Sequence, residues 1–248
     1  MLTAITTLNF LAFLLIEPTP RWLLIFAAIV AVIGLDGTLR ATWRVPFSGP
    51  APIDSTPYLF LPALFVLATP ILIEHNVRGY NVIAAALGGG LAFGAIVIAE
   101  LLTVHQRASE YGPARWVIAA GAYFVAFALF AMPYVLELSL RTSIGAVALV
   151  SVMLALELLR EGQVDPLETI VFSFVTGLVM GELRWSLHYL PIDGYLAGLG
   201  LVLGFFLVTG VIGSYLARRL DAILAVEYAI IAALGVALVV FARASGAA

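Results

Sequence analysis

Four carboxylates are the strongest candidates for chemistry in this 248-residue sequence: Asp36, Glu100, Glu157 and Glu227. Each lies toward one end of an apolar run, and with nine spanning helices all four face the side of the N-terminus. Carboxylates that converge raise one another's pKa and could carry a proton or hold a cation. Glu227 follows Asp221 by six residues, about 9 Å along a helix. Glu157 has two leucines between it and Arg160.

A second set, Glu74, His75, Glu182 and His188, falls on the opposite side. Two imidazoles and two carboxylates could ligate a metal, and a histidine pair could ligate haem. Against this, the sequence has no His-x2–4-His pair and no His-Glu-x-x-His motif, so no metal is expected. No residue is assigned as catalytic.

The competing account is anchoring. Asp36/Arg40, Glu74/Arg78 and Glu137/Arg141 are spaced four apart, acid first. On a helix that spacing puts both groups on one face in the better order. Charges that satisfy one another at helix ends need no further function.

Missing residue types exclude more. All 12 basic residues are arginine. Without lysine there is no Schiff base, so no covalent retinal. Without cysteine there is no thiolate nucleophile, no Cys-ligated iron–sulfur cluster and no c-type haem. The cofactor is otherwise left open. The net charge of −3, with no basic patch, does not fit a nucleic-acid partner. No P-loop, dinucleotide or zinc-protease motif is present, and the expectation leans away from an enzyme.

The elements that must position these groups follow from composition. The chain is 63% hydrophobic and 11% charged, with a mean hydropathy of +1.11. A soluble domain is about 25% charged. A spanning helix needs about 20 largely apolar residues. Nine segments qualify or nearly so: Leu2–Ile16, Trp22–Leu39, Tyr58–Ile73, Tyr80–Val104, Ala114–Leu136, Thr142–Leu159, Pro166–Leu187, Gly194–Ala217 and Ala222–Ala242. The first is short and carries Asn9, so eight spans is the fallback. It has no basic n-region and no small-residue cleavage site, and reads as a retained helix, not a signal peptide.

Punctuation supports these boundaries. Asp165-Pro166-Leu167-Glu168 is a capping pattern that opens the seventh helix. Gly162 fits the glycine that closes the sixth. Pro113 is expected to open the fifth, and Asp221 to cap the ninth. The Pro-rich connection from Ala41 to Pro57, with Trp43 and Phe47, is expected along the interface. All four tryptophans, Trp22, Trp43, Trp116 and Trp185, fall near helix ends, as an aromatic belt requires.

Lipid tails give helices no hydrophobic reason to associate, so small residues matter for packing. Gly90/Gly94, Gly177/Gly181, Gly194/Gly198 and Gly200/Gly204 are spaced four apart, which predicts tight packing of the fourth, seventh and eighth helices. Gly88-Gly89-Gly90 and the Pro62/Pro70 pair leave two alternatives, a kinked continuous helix or an unwound stretch lining a cavity.

The expected fold is an all-α polytopic transmembrane bundle, residues 1–248 forming a single integral domain with no soluble part. Segments 20–105 and 113–188 share end marks (Pro-x0–1-Arg-Trp at the start, Glu-Leu before a histidine at the finish), which suggests an inverted three-helix repeat. Coincidence is the simpler account, because charges and tryptophan gather at helix ends anyway. The expected function is a non-catalytic accessory or scaffold subunit of a larger membrane complex. Its partners are the bilayer, other membrane subunits or copies of itself. The alternative is a secondary transporter or channel for a small solute or ion. Localisation is expected in a bacterial cytoplasmic membrane. Seven arginines on the N-terminal side against five opposite place the N-terminus in the cytoplasm.

Overall fold

The computed structural model describes residues 1–17, 19–43, 55–104, 109–160, 165–190, 194–219 and 221–244. The described residues form nine α-helices and no strand: α1 (Leu2–Leu15), α2 (Trp22–Trp43), α3 (Pro57–Asn76), α4 (Asn81–Thr103), α5 (Tyr111–Val135), α6 (Leu140–Leu159), α7 (Pro166–Leu187), α8 (Gly194–Leu216) and α9 (Ala222–Ala244). Seven of them, α2 to α8, are long and apolar enough to cross a membrane. Leu2–Leu15 and Ala222–Ala237 are shorter apolar stretches. At 14 residues, α1 is about 21 Å long against a hydrocarbon core of about 30 Å. Asn9, its one amide side chain, donates to its own helix at the Ile5 carbonyl (3.0 Å).

Local chemistry sets the helix ends. Asp165 caps α7 by accepting from the Leu167 amide at 2.9 Å, with Pro166 next. Asp221 caps α9 by accepting from the Leu224 amide at 2.8 Å. Ser139, not singled out in the sequence, caps α6. The start expected at Pro113 lies two residues earlier: α5 begins at Tyr111, and the Ala114 amide already bonds the Glu110 carbonyl. A proline in the first turn costs no hydrogen bond, because those amides have no partner within the helix. Gly162, Phe47 and His105 lie outside the described residues.

Two of the expected acid–arginine pairs do not share a helix. α3 closes at Asn76 with Val77 extended, before Arg78 is reached. α5 closes at Val135, and Glu137 takes a left-handed φ of 50°. There the Leu138 amide bonds the Pro133 carbonyl and the Glu137 amide bonds that of Tyr134, a Schellman closure. Arg141 then falls in the next helix.

The helices group into two compact units, residues 1–125 and 126–248. In the first, α4 runs unbroken through Gly88-Gly89-Gly90 and α3 through Pro62 and Pro70. The unwound alternative is therefore overturned. The reason is packing: Gly94, Gly90 and Gly89 receive Thr3, Thr7 and Phe10 of α1. A Cβ on Gly94 would lie 2.9 Å from the Thr3 methyl, whereas Gly88 faces open space. Phe65 and Phe93 meet in the core of this unit with centroids 6.4 Å apart.

In the second unit α6 and α7 pack through small residues. A Cβ on Gly177 would lie 2.8 Å from the Ala148 carbonyl oxygen, and one on Gly181 3.5 Å from the Ala148 Cβ. α8 meets Ala131 at Gly198 (2.8 Å) and Leu183 at Gly204. Gly200 makes no close approach, so of that pair only Gly204 packs tightly. The buried hydroxyls of Ser173 and Thr176 return to their own helix, donating to the carbonyls of Thr169 (2.7 Å) and Phe172 (2.8 Å).

Candidate functional site

The ionisable groups withdrawn from solvent are the candidates, because charge in an apolar interior must be compensated. In the first unit, Asp36 lies mid-way along the last turns of α2, half-buried. Its Oδ2 accepts from Arg40 Nε at 2.8 Å and its Oδ1 from the Ser55 hydroxyl at 2.6 Å. The expected i,i+4 pair is therefore formed. Ser55 precedes α3, and its carbonyl also takes the Tyr58 amide. Asp36 thus ties the end of α2 to the start of α3, with both carboxylate oxygens engaged. Glu100, near the end of α4, is 0% exposed. Glu74 and His75 are exposed at the end of α3, and His75 Nδ1 lies 2.9 Å from the Ile71 carbonyl.

In the second unit, Glu157 is also 0% exposed. Its Oε1 meets Arg160 Nη2 at 2.6 Å and Nε at 2.8 Å. Arg160 follows the last residue of α6, where its charge also complements the negative end of the helix. Glu227 is exposed on α9. Glu182 and His188 are exposed at the end of α7, with His188 edge-on to Tyr189. Among the described residues, no group of three or more His, Asp or Glu is placed to hold a metal ion.

Arg184 is the residue that sequence reasoning misses. By sequence it is one more arginine near a helix end, three residues from the end of α7. In the structure it is 3% exposed, and its Cζ lies 3.9 Å from the centre of the Tyr134 ring. Its Nε and Nη1 have no hydrogen-bond partner. A cation over an aromatic face is worth about 2 kcal/mol when desolvated, whereas burying an ion costs several. The ring alone does not balance the charge. The available signal was position: an arginine inside a spanning segment is by default a functional candidate.

These groups differ in what they can do. The Glu157–Arg160 pair and the Asp36–Arg40–Ser55 set are internally compensated and hold helix ends. Arg184 offers buried positive charge with donors to spare.

No curated protein matches this chain, and no solved structure matches it. A family match covers almost the whole length, residues 3–242. The chain belongs to the family described as Protein of unknown function (DUF5656).

Proposed function

We propose that this chain is a polytopic integral membrane protein that serves as a non-catalytic accessory or scaffold subunit of a larger membrane assembly. One observation carries the reading. On α9, Ile223, Glu227, Ile230, Leu234 and Phe241 are all exposed and recur at the 4-3-4-7 spacing of a helix–helix seam. Tyr228 and Gly235, on another side of α9, are the residues that meet α8, at Gly210 and Leu203. A carboxylate within an apolar stripe is costly against lipid, by about 2.5–3.5 kcal/mol at the bilayer centre. A partner helix that hydrogen-bonds Glu227 removes that cost. With all nine helices spanning, the seven-to-five arginine excess supports a cytoplasmic N-terminus in a bacterial inner membrane.

The sequence lacks cysteine, so Ile230→Cys introduces a single thiol. Thiol cross-linking in native membranes is expected to trap a product at this position, and none at Leu178→Cys on the exposed face of α7. A disulfide dimer would identify self-association, and a heavier product of constant mass a different subunit. Monomer alone from Ile230→Cys would overturn the reading.

A second reading, a transporter or channel for a small solute or ion, is favoured by the complete burial of Glu100 and Glu157 in apolar helices. An inverted repeat of 20–105 and 113–188 would suit it. Proton-coupled uptake lost in Glu100→Gln or Glu157→Gln vesicles is the result that would support it.

A further inference from the structure

Two donors of the second unit that favour negative charge meet at Tyr134. Arg184 stacks on its ring at 3.9 Å and keeps Nε and Nη1 without a hydrogen-bond partner. The Tyr134 hydroxyl is buried beside the same guanidinium, with no hydrogen bond of good geometry. Gly194 opens α8 against the main-chain end of the same tyrosine, where a Cβ would lie 2.9 Å from the Tyr134 Cβ, and so holds Tyr134 in place. A guanidinium cannot shed its charge by losing a proton, so the compensation has to be an anion.

The depth of the site narrows the choice of anion. Arg184 lies three residues before the end of α7, about 4.5 Å along the axis. Trp185 and Tyr189 beside it are exposed, and the indole N–H donates to the Tyr189 hydroxyl at 3.2 Å. Such aromatics sit at headgroup level, where phosphate is the abundant anion. Guanidinium N–H groups match phosphate oxygens in geometry and charge.

We propose that Arg184, with the Tyr134 hydroxyl, binds a phosphate oxyanion, supplied either by a phospholipid headgroup or by free phosphate. The proposal is independent of the assembly reading above, since it uses neither α9 nor a partner chain.

The test uses the full-length protein, delipidated in mild detergent, with two probes. One is inorganic phosphate, followed by equilibrium binding and by the rise in melting temperature that a native-state ligand causes. The other is phosphatidylglycerol against an uncharged glycolipid, followed by native mass spectrometry. Binding of the lipid without inorganic phosphate identifies a headgroup site, and binding of phosphate a soluble oxyanion site. In either case Arg184→Gln is expected to lose about tenfold or more in affinity, and Tyr134→Phe about three- to tenfold. Arg184→Lys should fall between wild type and Arg184→Gln. If Arg184→Gln does not fold, Tyr134→Phe decides, because it keeps the ring and removes only the hydroxyl. The proposal is overturned if neither probe binds, or if binding is unchanged in the variants.

Discussion

The Ser55 hydroxyl donates to Asp36 Oδ1 at 2.6 Å, joining residues 19 apart in the chain. It fixes the start of α3 on the end of α2. Removing the hydroxyl leaves a half-buried carboxylate with one acceptor unmet. Ser55→Ala is expected to lower the melting temperature, because a hydrogen bond to a charged group is lost. Arg40 is 63% exposed at its side chain, so Arg40→Met should cost well under 1 kcal/mol. Thermal unfolding followed by tryptophan fluorescence measures both. Equal losses would mean that the ion pair matters as much as the hydroxyl.

The Glu157–Arg160 pair should show strong coupling. Arg160→Met takes the paired cation from a buried carboxylate and is expected to cost up to about 3–5 kcal/mol. The double change Glu157→Gln/Arg160→Met should cost less than Arg160→Met alone. A double-mutant cycle gives the interaction energy, and additive losses would contradict the compensation seen at 2.6 Å.

Neighbouring glycines in α4 should respond with opposite signs. Gly88 faces open space, so Gly88→Ala gains helix propensity of up to about 1 kcal/mol. Gly90 is packed against Thr7, and Gly90→Ala should cost about 1–3 kcal/mol through overpacking. Proteolysis at the N-terminus would report whether α1 has been displaced from α4.

Glu137 and Arg218 end α5 and α8 in left-handed conformations, with φ of 50° and 53°. Non-glycine residues pay about 1–2 kcal/mol there. Glu137→Gly and Arg218→Gly are each expected to stabilise by up to about 1 kcal/mol, the remainder being offset by the greater freedom of glycine in the unfolded chain. A fall in melting temperature for both would show that the side chains contribute contacts of their own.

Helix existence and most boundaries were legible because they depend on local chemistry. Apolar runs, Asp165-Pro166 and Asp221 act within one turn of themselves. The misplaced features depended on how a helix ends. Glu74/Arg78 and Glu137/Arg141 have the right spacing, but the backbone leaves the helix between or before them. The Gly88–Gly90 run looked like a weak point in α4 only because its partner, the Thr3–Thr7–Phe10 face of α1, lies more than 75 residues away in the chain.

The eight candidate site residues divide by burial, which no local pattern encodes. Glu100 and Glu157 are buried, Asp36 is half-buried, and Glu227, Glu74, His75, Glu182 and His188 are exposed. By itself the sequence determined an all-helical chain of membrane-spanning length, and it excluded lysine and thiol chemistry, because composition and short-range capping suffice for both. Only the tertiary structure decided that Arg184 is a buried charge with unpaired donors. That outcome depends on Tyr134 arriving from another helix, and burial is a property of all the neighbours at once.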